Sequence, residues 1–110
     1  MNKNSFDWNI AIARANGNKD LAQELSGLLI ENIKECIPEL EDAWKQKNID
    51  QLIQLTHKMH GGAAYTGAVE VQQASKSFEK KLKSGDIDST GYKHFLQSMK
   101  EFSEFFESIN

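Results

Sequence analysis

The sequence predicts an all-α protein, an antiparallel four-helix bundle with a short additional N-terminal helix. Three observations carry that expectation. Apolar residues recur at steps of three and four almost throughout, and no strand-like alternation lasts. Proline occurs once and glycine seven times in 110 residues, so turn formers are scarce and the elements should be few and long. Each periodic segment has one apolar stripe to bury, and an antiparallel bundle buries all of them together.

The elements follow in order. Asp7 is placed to cap a short opening helix containing Ile10, Ile12 and Ala13, which the run Asn16-Gly17-Asn18-Lys19 ends. Asn18 or Asp20 then starts a long segment with Leu21, Leu25, Leu28, Leu29, Ile33, Ile37, Leu40 and Trp44 on one stripe. Pro38 lies inside it. A proline removes a backbone donor and crowds the preceding turn, so a kink or break is expected near Cys36. Lys47-Asn48 makes the next turn, with Asn48 as N-cap. The following helix carries Ile49, Leu52, Ile53, Thr56, Met59 and Ala63 on its core side, and Thr66-Gly67 punctuates it. Ala68, Val71, Ser75, Phe78 and Leu82 make another stripe. The run SGDIDSTG, residues 84–91, reads as a loop. The last helix presents Tyr92, Phe95, Leu96, Met99, Phe102, Phe106 and Ile109.

Composition bounds the function. The length suits a single domain over residues 1–110. The chain is 39% hydrophobic and 26% charged, as in soluble globular proteins. A net charge of -3 argues against nucleic-acid binding, which usually needs a basic stripe. Cys36 is the single cysteine, so no intrachain disulfide can form, and a reducing compartment fits. The opening MNKNSFDWN has no apolar run of signal-peptide type. No stretch approaches the roughly 18 apolar residues of a membrane span. A free-standing protein and a domain cut from a larger membrane-anchored one both fit these facts.

The chemistry concentrates in residues 57–67, HKMHGGAAYTG. Gly61 and Gly62 lie inside a helical pattern, where each costs about 1 kcal/mol relative to alanine. On a wheel of 100° per residue, His57 falls on the flank of its helix, roughly a right angle from the core stripe. Gly61 lies one turn further on the same flank, so the surface beside His57 is stripped of side chains and open to something bulky. Gly62 points more outward. His60 lies nearer the core edge, either as a partly buried structural residue or beside the His57 ring.

The stretch HKMHGGAAYTGA resembles the signature of histidine-containing phosphotransfer (HPt) domains. In that signature a histidine is followed by two residues, usually lysine, then glycine, small residues and a second Gly-Ala. His57 falls on the phosphorylated histidine, Gly61 on the first glycine, and Gly67-Ala68 on the second motif. KSFEKKLKSGD, residues 76–86, looks like the end of the family's next helix, with Glu79 at the polar position after Phe78. The likeness is greatest to the C-terminal HPt domains of BarA-type hybrid sensor kinases, which share a DW near the start, a proline in the second helix and the H-K-x-H-G core. Two departures stand out: His60 where most members have lysine, and Gly62 where serine is common.

The resemblance implies a phosphorelay intermediate of bacterial two-component signal transduction. His57 would accept a phosphoryl group from a receiver-domain aspartate and pass it to the aspartate of another receiver. It implies a carrier without ATP-dependent kinase activity of its own, binding no cofactor, with Mg2+ held by the partner receiver. Attack needs one unprotonated ring nitrogen, and a carboxylate such as Glu79 could fix the tautomer by accepting a bond from the other. The rival reading of Glu79 is a solvated charge among Lys76, Lys80, Lys81 and Lys83. His60 is a candidate phosphoryl contact. Leu55, Lys58, Gly61, Gly62 and Tyr65 are candidate contacts to the receiver, with Lys58 able to steer an acidic partner. Expected partners are receiver (response regulator) domains and a parent hybrid sensor kinase, with no nucleic acid and no direct membrane contact. The expected state is a cytoplasmic monomer, or the cytosolic end of an inner-membrane kinase.

Two other classes fit the sequence less well. A non-catalytic helical module could bind a receiver or kinase without phosphotransfer, though it would usually have lost the histidine. Zinc at His57 and His60, with His94 or Cys36, is a weak reading, because the spacing matches no zinc motif. Cys36 reads as core and His94 as surface. The phenylalanines of the last helix read as core, and Trp8 and Trp44 as packing at helix ends.

Overall fold

A computed structural model describes residues 6–109, with the side chain of Ile109 outside the described part. Five helices run in order: α1 (Trp8–Arg14), α2 (Lys19–Lys45), α3 (Ile49–Ala63), α4 (Val69–Lys83) and α5 (Ser89–Ile109). There is no strand among the described residues. Each of α2 to α5 packs on the next, and α5 closes back onto α2. The short connections make sequential helices antiparallel neighbours. This is the expected four-helix bundle, with α1 as the additional helix lying on α2.

The helix starts obey their local chemistry. Asp7 accepts from the amides of Asn9 and Ile10, Asn18 from Leu21 and Asn48 from Gln51, so three N-termini are capped by side chains. Asn18, rather than Asp20, caps α2. The loop expected over 84–91 is shorter. α5 begins at Ser89, where the Asp88 side chain accepts from the Thr90 amide.

Two expectations about α2 need correction. The helix is unbroken across Pro38 for 27 residues. Pro38 is exposed, so the carbonyl it deprives of a donor lies on the solvent side, where water can satisfy it. The core stripe is also displaced. Ala22, Ser26, Leu29, Ile33, Cys36, Leu40 and Ala43 are buried, whereas Leu21 and Leu28 are exposed. At 100° per residue the exposed leucines lie about 80–100° from the line of Leu29. The small residues Ala22 and Ser26 occupy the core-facing line instead.

The core is apolar and rich in aromatic rings. Phe78, Phe95 and Phe102 are fully buried. Trp44 stacks on Tyr92 with centroids 4.2 Å apart, and Lys47 covers the indole at 3.7 Å. At the other end of the chain's path, Trp8 and Phe6 pack on Phe106. Both tryptophans thus pack helix ends, as expected.

α1 clamps the corner between α3 and α4. The Asp7 amide donates to the Gly67 carbonyl at 2.9 Å, and the Arg14 guanidinium donates to the carbonyls of Thr66 (2.7 Å) and Ala63 (3.3 Å). Arg14 thereby gives the Thr66 carbonyl, just past the end of α3, its donor, while the Ala63 and Gly67 carbonyls also accept from Thr66 and Val69. A methyl group on Gly67 would collide with the Asp7 carbonyl oxygen, so this close backbone approach requires glycine. Gly67 is needed for packing, independent of any chemistry.

Candidate phosphotransfer site

His57 stands on the third turn of α3, on the side that faces α4. Its side chain is 73% exposed, more than a flank position implies. The cause is a rotation of the core face. Leu55 is buried while Ile49 and Ile53 are only half-buried, which turns the buried direction of α3 about 50° from that expected. The same rotation overturns the expectation for Leu55. It is a core residue, 8% exposed, and offers little surface to a partner.

Glu79 meets His57 from α4. Its Oε2 lies 2.9 Å from His57 Nδ1 and 3.2 Å from Lys83 Nζ. The Glu79 side chain is only 10% exposed. That excludes the solvated-charge reading, because a buried carboxylate persists only with partners. An ionised carboxylate can only accept, so in the neutral ring this contact places the proton on Nδ1 and the lone pair on Nε2. The imidazole is thus exposed and anchored at one ring nitrogen.

The surroundings are open and basic. His57, His60, Lys76, Glu79, Lys80 and Lys83 line a shallow depression of about 400 Å³. His60 is half-buried and lines the same depression as His57. Gly61 is exposed, and a β-carbon there would meet nothing within 4 Å. Neither packing nor backbone conformation demands glycine at that position. Gly62 is different from expectation. It is half-buried toward α2, where a β-carbon would come 3.3 Å from Leu29 Cδ1. Lys58 is exposed, and Tyr65 is 66% exposed at the end of α3.

The sequence reading expects the exposed side of the next helix to meet a receiver without naming its residues, and it leaves out a groove beside α2. Lys76, Lys80 and Lys83 were read only as background to Glu79, although their spacing of four and three puts them on its helix face. Leu25 and Leu28, assigned to the core, instead line a groove between α2 and α3 with Leu29, Asn32, Gly62, Tyr65 and Thr66. Cys36 and His94 stay apart from the site. Cys36 is buried, and burial pushes its thiol up to about 12. His94 Nε2 pairs with Glu70 Oε1 at 2.9 Å on the α4–α5 side.

The sequence model of the Hpt domain matches residues 24–104, most of the chain. This chain belongs to the Hpt domain family. The signal transduction histidine-protein kinase BarA of Shigella flexneri and of Escherichia coli is 30% identical over 81 residues. That match covers 74% of this Hpt domain and only 9% of BarA. The phosphorelay intermediate protein rdeA of Dictyostelium discoideum is 24% identical over 105 residues, 96% of this chain and 41% of that protein. The crystal structure of the HPT domain from a Shewanella hybrid histidine kinase shares the fold, with a TM-score of 0.90 at 19% identity. It covers 96% of this chain and 93% of that one. As a member of the family this Hpt domain is a phosphotransfer carrier of the phosphorelay class.

Proposed function

We propose that His57 is the residue that carries the phosphoryl group, taken from an aspartyl phosphate on one receiver domain and given to an aspartate on another. The observation that carries this reading is the exposed His57 ring, anchored at Nδ1 by the buried Glu79 carboxylate 2.9 Å away. In the transfer step the Nε2 lone pair attacks phosphorus. The bond from phosphorus to the aspartyl oxygen breaks, and the aspartate leaves as a carboxylate. The ring then bears a proton on one nitrogen and phosphorus on the other, so it becomes cationic. Glu79 stabilises that charge where it develops, which is electrostatic preorganisation. The reverse step uses the same contacts.

The domain acts in this reading as a carrier, not as an ATP-dependent kinase, since its sequence has no glycine-rich phosphate loop. The receiver brings the aspartate and the Mg2+. Transfer then depends on placing the reacting groups in line. The docking surface combines two features flanking His57. Lys76, Lys80 and Lys83 form a basic rim suited to an acidic receiver site, and Lys58 is exposed on α3. Gly62, Tyr65, Leu25 and Leu28 form an apolar groove on the other side of α3.

The test charges receiver domains with acetyl phosphate and Mg2+ and mixes each with the chain. The wild-type chain should acquire label, and His57→Gln should acquire none while melting at a similar temperature. A wild-type chain that binds receivers but is labelled by none of them would instead establish a non-catalytic interaction module.

A further inference from the structure

Lys83 and His57 meet on the same atom, Glu79 Oε2, at 3.2 and 2.9 Å. Lys76 and Lys80 line the same depression, yet neither forms an ion pair with Glu79 among the described residues. From this geometry we infer that Lys83 is a positioning residue, which holds the Glu79 carboxylate in place and thereby fixes the Nδ1–H tautomer of His57. The inference rests on the reading of His57 as phosphoryl acceptor and adds what sets its reactive nitrogen.

The physical argument has three steps. A free neutral histidine side chain favours the opposite tautomer, with the proton on Nε2, which would block attack from the exposed nitrogen. Glu79 reverses that preference only while it is ionised and aimed at Nδ1, because a protonated carboxyl could donate to Nδ1 instead. Its side chain is 10% exposed, so water alone satisfies little of it, and the Lys83 ammonium supplies the second, charge-assisted bond. The i, i+4 spacing on α4 makes the pair a property of the helix itself. Lys83 is 59% exposed and contributes nothing to the core, so its removal leaves the fold intact.

Long-range 15N–1H correlation spectra of His57 read the tautomer without any partner. Phosphorylation by phosphoramidate, a small phosphoryl donor, reads the nucleophile without a receiver. In the wild-type chain the Nδ1–H form should dominate. Lys83→Met should shift the ring toward Nε2–H and slow phosphoramidate labelling by about threefold to tenfold, as expected for losing one charge-assisted bond. Lys83→Arg should restore both, and Lys80→Met should leave the tautomer unchanged. An Nδ1–H tautomer that persists in Lys83→Met, or an equal shift in Lys80→Met, overturns the inference. Labelling of wild-type His57 by receivers is read separately, so this result and the phosphorelay reading can fail independently.

Discussion

At the scale of residues, the site is an imidazole held from one side and open on the other. Two substitutions probe the two sides. Glu79→Ala removes the acceptor at Nδ1 and should slow transfer from a charged receiver about threefold to tenfold, the worth of a hydrogen bond to a charged group. An unchanged rate in a stopped assay would reduce Glu79 to a buried structural charge. Gly61→Arg places a long side chain where nothing now lies within 4 Å of the β-carbon. It should block transfer yet leave the melting temperature unchanged or slightly raised, since glycine is a poor helix former. Transfer at the wild-type rate would sink the access argument. Much of this was legible in the sequence, because a helical wheel needs only spacing to put His57 and Gly61 on one flank. Leu55 was misplaced for an equally definite reason. The expected core direction of α3 rests on Ile49, Leu52, Ile53, Thr56 and Ala63, of which Ile49 and Ile53 are only half-buried, so the wheel is set about 50° off. The bond from Glu79 to His57 joins two helices, and no pattern along one helix determines it.

At the scale of elements, caps and stripes were readable and contacts between elements were not. Asp7, Asn18 and Asn48 announce their helices because capping is local. Pro38 was read as a kink or break from its own chemistry alone, but its exposed position lets α2 run through it without a break. The leucines at 21, 25 and 28 outweigh Ala22 and Ser26 in any hydrophobic count, yet the small residues face the core line. Gly67 shows the same limit. Its role is to let the Asp7 backbone approach the α3–α4 corner, which only the folded chain reveals. Gly67→Ala should therefore destabilise the fold by about 1–3 kcal/mol through overpacking against backbone. Thermal unfolding measures this directly, and a variant as stable as wild type would show that α1 moves aside at no cost.

At the scale of the whole molecule, the candidate site lies on one face while the core holds the bundle together. The chain has a net charge of -3, yet lysines 76, 80 and 83 line one depression with His57. The interior is chemically quiet. Burial first, and then Glu39, raise the Cys36 thiol from its ordinary 9.0 to about 12. The stabilising contribution of the neutral thiol is fully present below pH 9 and is lost as pH rises toward 12. Iodoacetamide at pH 8 should accordingly leave Cys36 unmodified in the folded chain and alkylate it once the chain is unfolded; rapid labelling of the folded protein would contradict its burial. The central claim is that Glu79 leaves Nε2 of His57 as the phosphoryl-carrying atom, and it is tested most directly by 31P–15N NMR of the 15N-labelled chain after transfer from a charged receiver. The account predicts a single acid-labile, base-stable phosphoryl group on His57 Nε2. A phosphoryl group on His57 Nδ1, or on His60, would contradict it.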